Sequence, residues 1–207
     1  MKRLRFSTVK RLWHVLPEMS LHEPSSLVDR AQVAEIVSDS SRNRLSVCFT
    51  GHRHLARKDV PALSAQLDNL LEVCYSRGYR DFYCGGALGF DMLAASCVKA
   101  LQRRHAGVRL ILAIPCSDQA RRWTEADIAA YERLLYAADD IRVLSPFYYD
   151  GCMLVRNRYM VDHSSLCICY FKHPKGGTAS TVAYAVTQGL PVLNVAMENA
   201  CAAFCAD

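Results

Sequence analysis

Three short segments of this 207-residue chain combine glycine with side chains able to hold or transfer charge. The first, Thr50-Gly51-His52-Arg53, sets an imidazole beside a guanidinium. Arginine can grip a phosphate through two parallel N–H bonds, and histidine exchanges a proton near neutral pH. The second, Gly85-Gly86-Ala87-Leu88-Gly89-Phe90-Asp91, is a glycine-rich stretch. Between a strand and a helix, missing side chains let backbone N–H groups approach an anion, and the helix start adds positive potential. Gly85, Gly86 and Gly89 are therefore a phosphate cradle by mechanism, with a tight turn and close helix-to-strand packing as the alternative. Asp91 either bonds a ligand hydroxyl or simply favours the first helical turn. The third, Lys175-Gly176-Gly177-Thr178, repeats the logic with an ammonium and a hydroxyl beside two glycines; its alternative is an exposed turn with a solvated lysine.

Other candidates stand apart from glycine. In Arg156-Asn157-Arg158, successive helical positions point in different directions, so at most two face one pocket. Arg156 and Asn157 are the pair expected there, against a solvated basic helix face. Trp123, next to Arg121 and Arg122, offers a ring on which a base can stack, although such rings also serve simply as packing. His54, His105, His163 and His173 have no comparable setting. No His/Cys group has zinc-ligand spacing, so no metal is expected.

Positioning these segments requires a scaffold that brings distant loops to one rim. From Leu45 onward, short β-type runs alternate with helical patterns: 45–50, 60–77, 81–84, 92–104, 108–114, 121–138, 141–144, 152–162, 166–171, 178–188 and 191–195. Strands that are apolar throughout, six of them alternating with five helices, predict a mostly parallel sheet covered by helices on both faces. In such a sheet ligands bind beyond the carboxyl ends of the strands, near the point where strand order reverses. All three glycine segments fall at such ends. Residues 1–44 read as an N-terminal extension and polar linker, with one short helix capped by Ser25 or Ser26, and residues 196–207 as a C-terminal tail.

The bulk composition bounds the partners. About half the residues are apolar, enough for one substantial core. Of the net charge of +5, residues 1–44 carry +3, and the remainder holds +2. A nearly neutral globular part argues against a broad nucleic-acid face, which needs clustered positive charge, and leaves a small anionic ligand in play. Ten cysteines sit largely within apolar runs such as Leu166-Cys167-Ile168-Cys169-Tyr170, as buried free thiols do. No signal peptide or membrane-length apolar run is apparent, so a reducing cytoplasm is expected.

Taken together, Thr50-Gly51-His52-Arg53, Gly85-Gly86 with Gly89 and Asp91, Pro115 with Gln119 and Trp123, Arg156-Asn157, and Gly176-Gly177-Thr178 resemble the SLOG superfamily, named for Smf/DprA and the Lonely Guy proteins. The resemblance is strongest to its YpsA/YoqJ-like branch of bacterial and phage proteins and spans residues 45–195. It implies a Rossmann-like three-layer domain that binds nucleotides or nucleotide derivatives, NAD or ADP-ribose among them, and adds Gln119 to the ligand-contacting set. The Lonely Guy branch cleaves nucleoside monophosphates with a helical arginine, matched here by Arg156, and a glutamate. That glutamate is missing, since residues 176–188 contain no carboxylate and Thr181 stands near its place.

Three functions follow. A binding or sensing domain would hold phosphate on the loop glycines and Thr178, with Arg53 and Arg156 neutralising it and Asp91 on a ribose. An N-glycosidic hydrolase would need Asp91 or His52 to replace the glutamate, with Arg156 beside it. A partner-binding module would use the basic leader on protein, nucleic acid or membrane surface. Self-association is left open.

Overall fold

The computed structural model describes residues 45–196. The expected leader helix, the linker and nearly all of the tail, with Cys201 and Cys205, lie outside the described residues. The elements alternate strictly: β1 (Ser46–Gly51), α1 (Val60–Ser76), β2 (Asp81–Cys84), α2 (Phe90–Arg104), β3 (Arg109–Ile114), α3 (Glu125–Ala137), β4 (Asp140–Val143), α4 (Cys152–Asp162), β5 (Leu166–Tyr170), α5 (Gly177–Thr187) and β6 (Val192–Asn194).

The strands form one sheet in the order β4-β3-β2-β1-β5-β6, and every pairing is parallel. The chain builds outward from β1 through β4, then returns to lay β5 on the free side of β1, with Cys48 opposite Cys167 and Gly51 opposite Tyr170. Side chains alternate across each strand. Val47, Phe49, Phe82, Leu110 and Leu112 therefore pack under α1, α2 and α3. Cys48, Ile111, Cys167 and Cys169 face the opposite layer, with Met160 and Val161 of α4 and Ala185 of α5. The result is a Rossmann-like three-layer α/β fold.

Local chemistry moved several boundaries from where the residue pattern put them. Helix α3 starts at Glu125, four residues later than expected, because the Thr124 hydroxyl accepts the Asp127 N–H (3.2 Å) and caps it. Arg121 and Trp123 lie in the preceding turns, their amides bonded to Asp118 and Ala120. Helix α2 starts two residues early, at Phe90, behind Gly89 with φ +79°. Strand β6 is shorter than expected. The eight described cysteines are buried and unbridged; burial pushes the Cys169 thiol up to about 12. No described helix is long and apolar enough to cross a membrane.

Candidate functional site

The carboxyl ends of β1 and β5 adjoin at the point where strand order reverses, so the loops leaving them diverge and open a crevice. A cleft of about 400 Å³ occupies it. Its walls are Phe49 to Arg53 at and just beyond the end of β1, Ala87 in the β2–α2 loop with Asp91 in the first turn of α2, one face of α4, and Lys175 to Thr178 at the start of α5. The first and third glycine segments thus meet across one cavity, together with Arg156 and Asn157. Gly85, Gly86, Gly89, Gln119 and Trp123 do not line it.

The second segment is built for the inside of the protein. A β-carbon at Gly85 would fall on the Arg156 guanidinium, and one at Gly89 on the carbonyl of Arg53. The Gly85 carbonyl accepts from Arg156 Nη1, and the Gly86 carbonyl from Gln119 Nε2 at 3.1 Å. The Ala87 N–H donates to Asp91 Oδ2 at 3.3 Å, with the Gly85 amide also directed at that carboxylate. The group that this loop's amides meet is therefore the chain's own Asp91 carboxyl. From this segment Ala87 and Asp91 reach the cleft wall, and a phosphate cradle at its glycines stays an expectation from the sequence. Trp123 meets Tyr131 edge-to-face, with centroids 5.3 Å apart, and packs on the core, so its ring is not a wall of the cleft.

Asp91 and Arg156 are each only 5% exposed, with 4.0 Å between Oδ2 and Nη1. Burial pushes the Asp91 carboxyl above its ordinary range, opposed by Arg156 and the two amides. Arg156 Nε donates to Asn157 Oδ1 at 2.7 Å. Asn157 Nδ2 donates to Thr181 Oγ1 at 2.8 Å, and the Thr181 hydroxyl donates to the Gly177 carbonyl at 2.7 Å. A continuous buried chain thus runs from α2, through α4, to the first turn of α5. It forms the cleft floor from polar groups that are already partnered.

The α5 start is different. Gly176, its N-cap, has φ +84° and ψ −166°, a conformation suited to glycine, and no side chain caps the helix. A β-carbon at Gly176 would meet nothing within 4 Å. The first-turn N–H groups lack intrahelical acceptors by construction and carry the positive end of the helix dipole. Lys175 is exposed beside them and the Thr178 side chain is buried against the cleft.

His52 is tied down. Its Nε2 accepts the Lys172 N–H at 3.0 Å, which puts the ring proton on Nδ1. Its carbonyl accepts the Phe90 N–H at 3.1 Å. Burial, then the neighbouring His173 and Lys172, hold its pKa below 6.5. His52 therefore fastens the end of β1 to the β5–α5 loop and to α2.

Ala87, Met153, Met160 and the Thr181 relay were missed from sequence. The methionines had a readable signal: 153, 156, 157 and 160 follow i, i+3, i+4, i+7 and so share the face that Arg156 and Asn157 define. Arg158 points elsewhere, 5.3 Å over the Tyr184 ring. Among the described residues, no group of three or more His, Cys, Asp or Glu converges as a metal site.

Known proteins with these features agree in fold. The chain is similar to the DNA processing protein A of Streptococcus pneumoniae (TM-score 0.54, 17% identity). It is also similar to that of Helicobacter pylori, whose structure concerns single-stranded DNA binding (TM-score 0.52, 21% identity). These alignments cover 79% and 72% of this chain but only 56% and 63% of those proteins. In sequence, it is 33% identical over 116 residues to the SPbeta prophage-derived protein YoqJ of Bacillus subtilis, covering 50% of this chain and 68% of that one. It is 30% identical over 131 residues to the UPF0398 protein BH1768 of Halalkalibacterium halodurans, covering 62% and 68%. The profile of the YspA SLOG family matches residues 47–191, a stretch holding β2 to β5, β1 but for its first residue, and every wall of the cleft, though not β6, and the chain belongs to that family.

Proposed function

We propose that this protein binds a nucleotide or nucleotide-derived ligand of the NAD or ADP-ribose kind in the cleft between β1 and β5. The observation that carries this reading is the uncapped α5 start, glycine-bordered and flanked by Lys175, facing Arg53 across a cavity of about 400 Å³. That volume falls in the range of small-molecule sites. Phosphate oxygens sit on the α5 amides and the Thr178 hydroxyl, and Arg53 and Lys175 supply charge at the rim. Arg156 contributes from below, its hydrogen bonds committed to Gly85 and Asn157.

The test is a thermal-shift screen of mononucleotides, NAD and ADP-ribose, since a ligand that binds only the folded state raises the midpoint by mass action. Arg53→Ala and Lys175→Ala should each weaken the hit; unchanged shifts in both would overturn the reading. Hydrolysis of an N-glycosidic bond is the second reading. It draws on Asp91, a carboxyl on the cleft wall whose affinity for protons is raised by burial, as suits a general acid or base. Release of free base from a bound nucleotide, abolished in Asp91→Asn, distinguishes it from binding alone.

A further inference from the structure

A second basin, of about 390 Å³, lies on the other side of the His52–Arg53 rim, toward the start of α1. Its walls include both rim residues with His54, Asp59, Lys172 and His173. Two permanent cations and three imidazoles thus face one carboxylate, and that carboxylate is already used: Lys172 Nζ lies 3.1 Å from Asp59 Oδ2. The rings of His52 and His173 approach to 5.5 Å between centroids. Burial first, then His173 and Lys172, lower the pKa of His52, the latter two because like-charged groups held together disfavour one another's charge. An anion entering the basin would meet the charges of Arg53 and Lys172, with the imidazoles as further hydrogen-bond donors.

We propose that this basin is a second anion subsite, which takes a phosphate-bearing half of an elongated ligand whose first phosphate rests on α5. The identity of that ligand rests on the nucleotide reading above. The basin is comparable in volume to the first cleft, far larger than one phosphate needs, and therefore has room for a sugar as well. The two share the His52–Arg53 wall. The ligand class is a dinucleotide or nucleoside diphosphate sugar, with a mononucleotide filling only the first cleft.

Two measurements on the full chain test this. In the first, inorganic pyrophosphate is titrated while the imidazole resonances of His54, His173 and, as an internal control, His105 are followed by NMR; His105 is bonded to Glu72 at 2.6 Å, away from the basin. Saturable shifts are expected for His54 and His173 alone. Lys172→Ala should weaken them about tenfold, the scale of one charge-assisted hydrogen bond. Absence of saturation, or indifference to Lys172→Ala, overturns the subsite. In the second, calorimetry compares AMP with ADP-ribose on wild type, Lys172→Ala and His173→Ala, both exposed positions. ADP-ribose should weaken about tenfold in Lys172→Ala and AMP should not change. Equal tolerance of both variants by both ligands sinks the subsite and spares the nucleotide reading. Pyrophosphate bound in the basin without any nucleotide affinity does the reverse.

Discussion

At the level of single residues, the two histidine and glycine roles separate cleanly by what surrounds them. His52 accepts a backbone N–H at Nε2, so protonation there costs that bond. With its folded pKa below the 6.5 of the unfolded chain, the unfolded state binds more protons in the interval between, and stability rises with pH across it. The contribution is complete above 6.5 and lost as pH falls through the folded value. His52→Gln keeps an acceptor without titrating, so its melting midpoint should fall less than wild type between about pH 7.5 and pH 5; parallel curves would remove His52 as the cause. For glycine the contrast is between Gly85 and Gly177. A methyl at Gly85 lands on a buried guanidinium, whereas at Gly177 the nearest atom is Asn157 Nδ2 at 3.9 Å. Gly85→Ala should cost about 2–4 kcal/mol in urea unfolding and Gly177→Ala less than about 0.5 kcal/mol.

Between elements, the hydroxyl of Thr181 is the joint. It accepts from Asn157 on α4 and donates to the Gly177 carbonyl at the α5 start, at a position 1% exposed. Thr181→Val keeps the shape and strands a buried amide donor, so about 1–3 kcal/mol of stability should be lost. The first-turn amides of α5 should exchange faster with solvent, while those of α1, on the other face, stay as they were. Equal acceleration in both helices would mean general loosening rather than a joint. This joint also marks the limit of what was legible in the residues. Alternation of β-type runs and helical patterns located all eleven elements; burial on both faces gives the four inner strands an apolar signature, while the edge strands β4 and β6, only partly buried, were legible from their place in the alternation. Helix starts were displaced wherever a single cap decided them, at Thr124 and Gly89. Glycine spacing located the loops but not their surroundings: the same Gly-Gly pattern leaves the helix start open and uncapped at α5, and meets the chain's own Asp91 where a side chain folds back. Only the third dimension tells which, since Arg156 and Gly85 are 71 positions apart in the chain.

For the molecule as a whole, the cleft sits beside β1, a central strand whose partners β2 and β5 come from the two halves of the chain. Pairing β1 with β5 joins residues about 120 positions apart, such as Cys48 and Cys167. The proposed ligand, in contact with β1, α4 and α5, would clamp the seam on which both halves depend. At 100 times its Kd, a ligand specific for the folded state adds about 2.7 kcal/mol, which for a domain of this size raises the melting midpoint by about 5–10 °C. If the halves unfold as one cooperative unit, that increment reaches amides far from the cleft. Leu110 and Leu112 in β3, both fully buried, should then gain the same hydrogen-exchange protection under saturating ADP-ribose as Phe49 and Ile168 beside it, because each exchanges through the same global opening. Protection confined to β1, β5 and the α5 start would show instead that the two halves open separately and that the ligand merely closes a local seam.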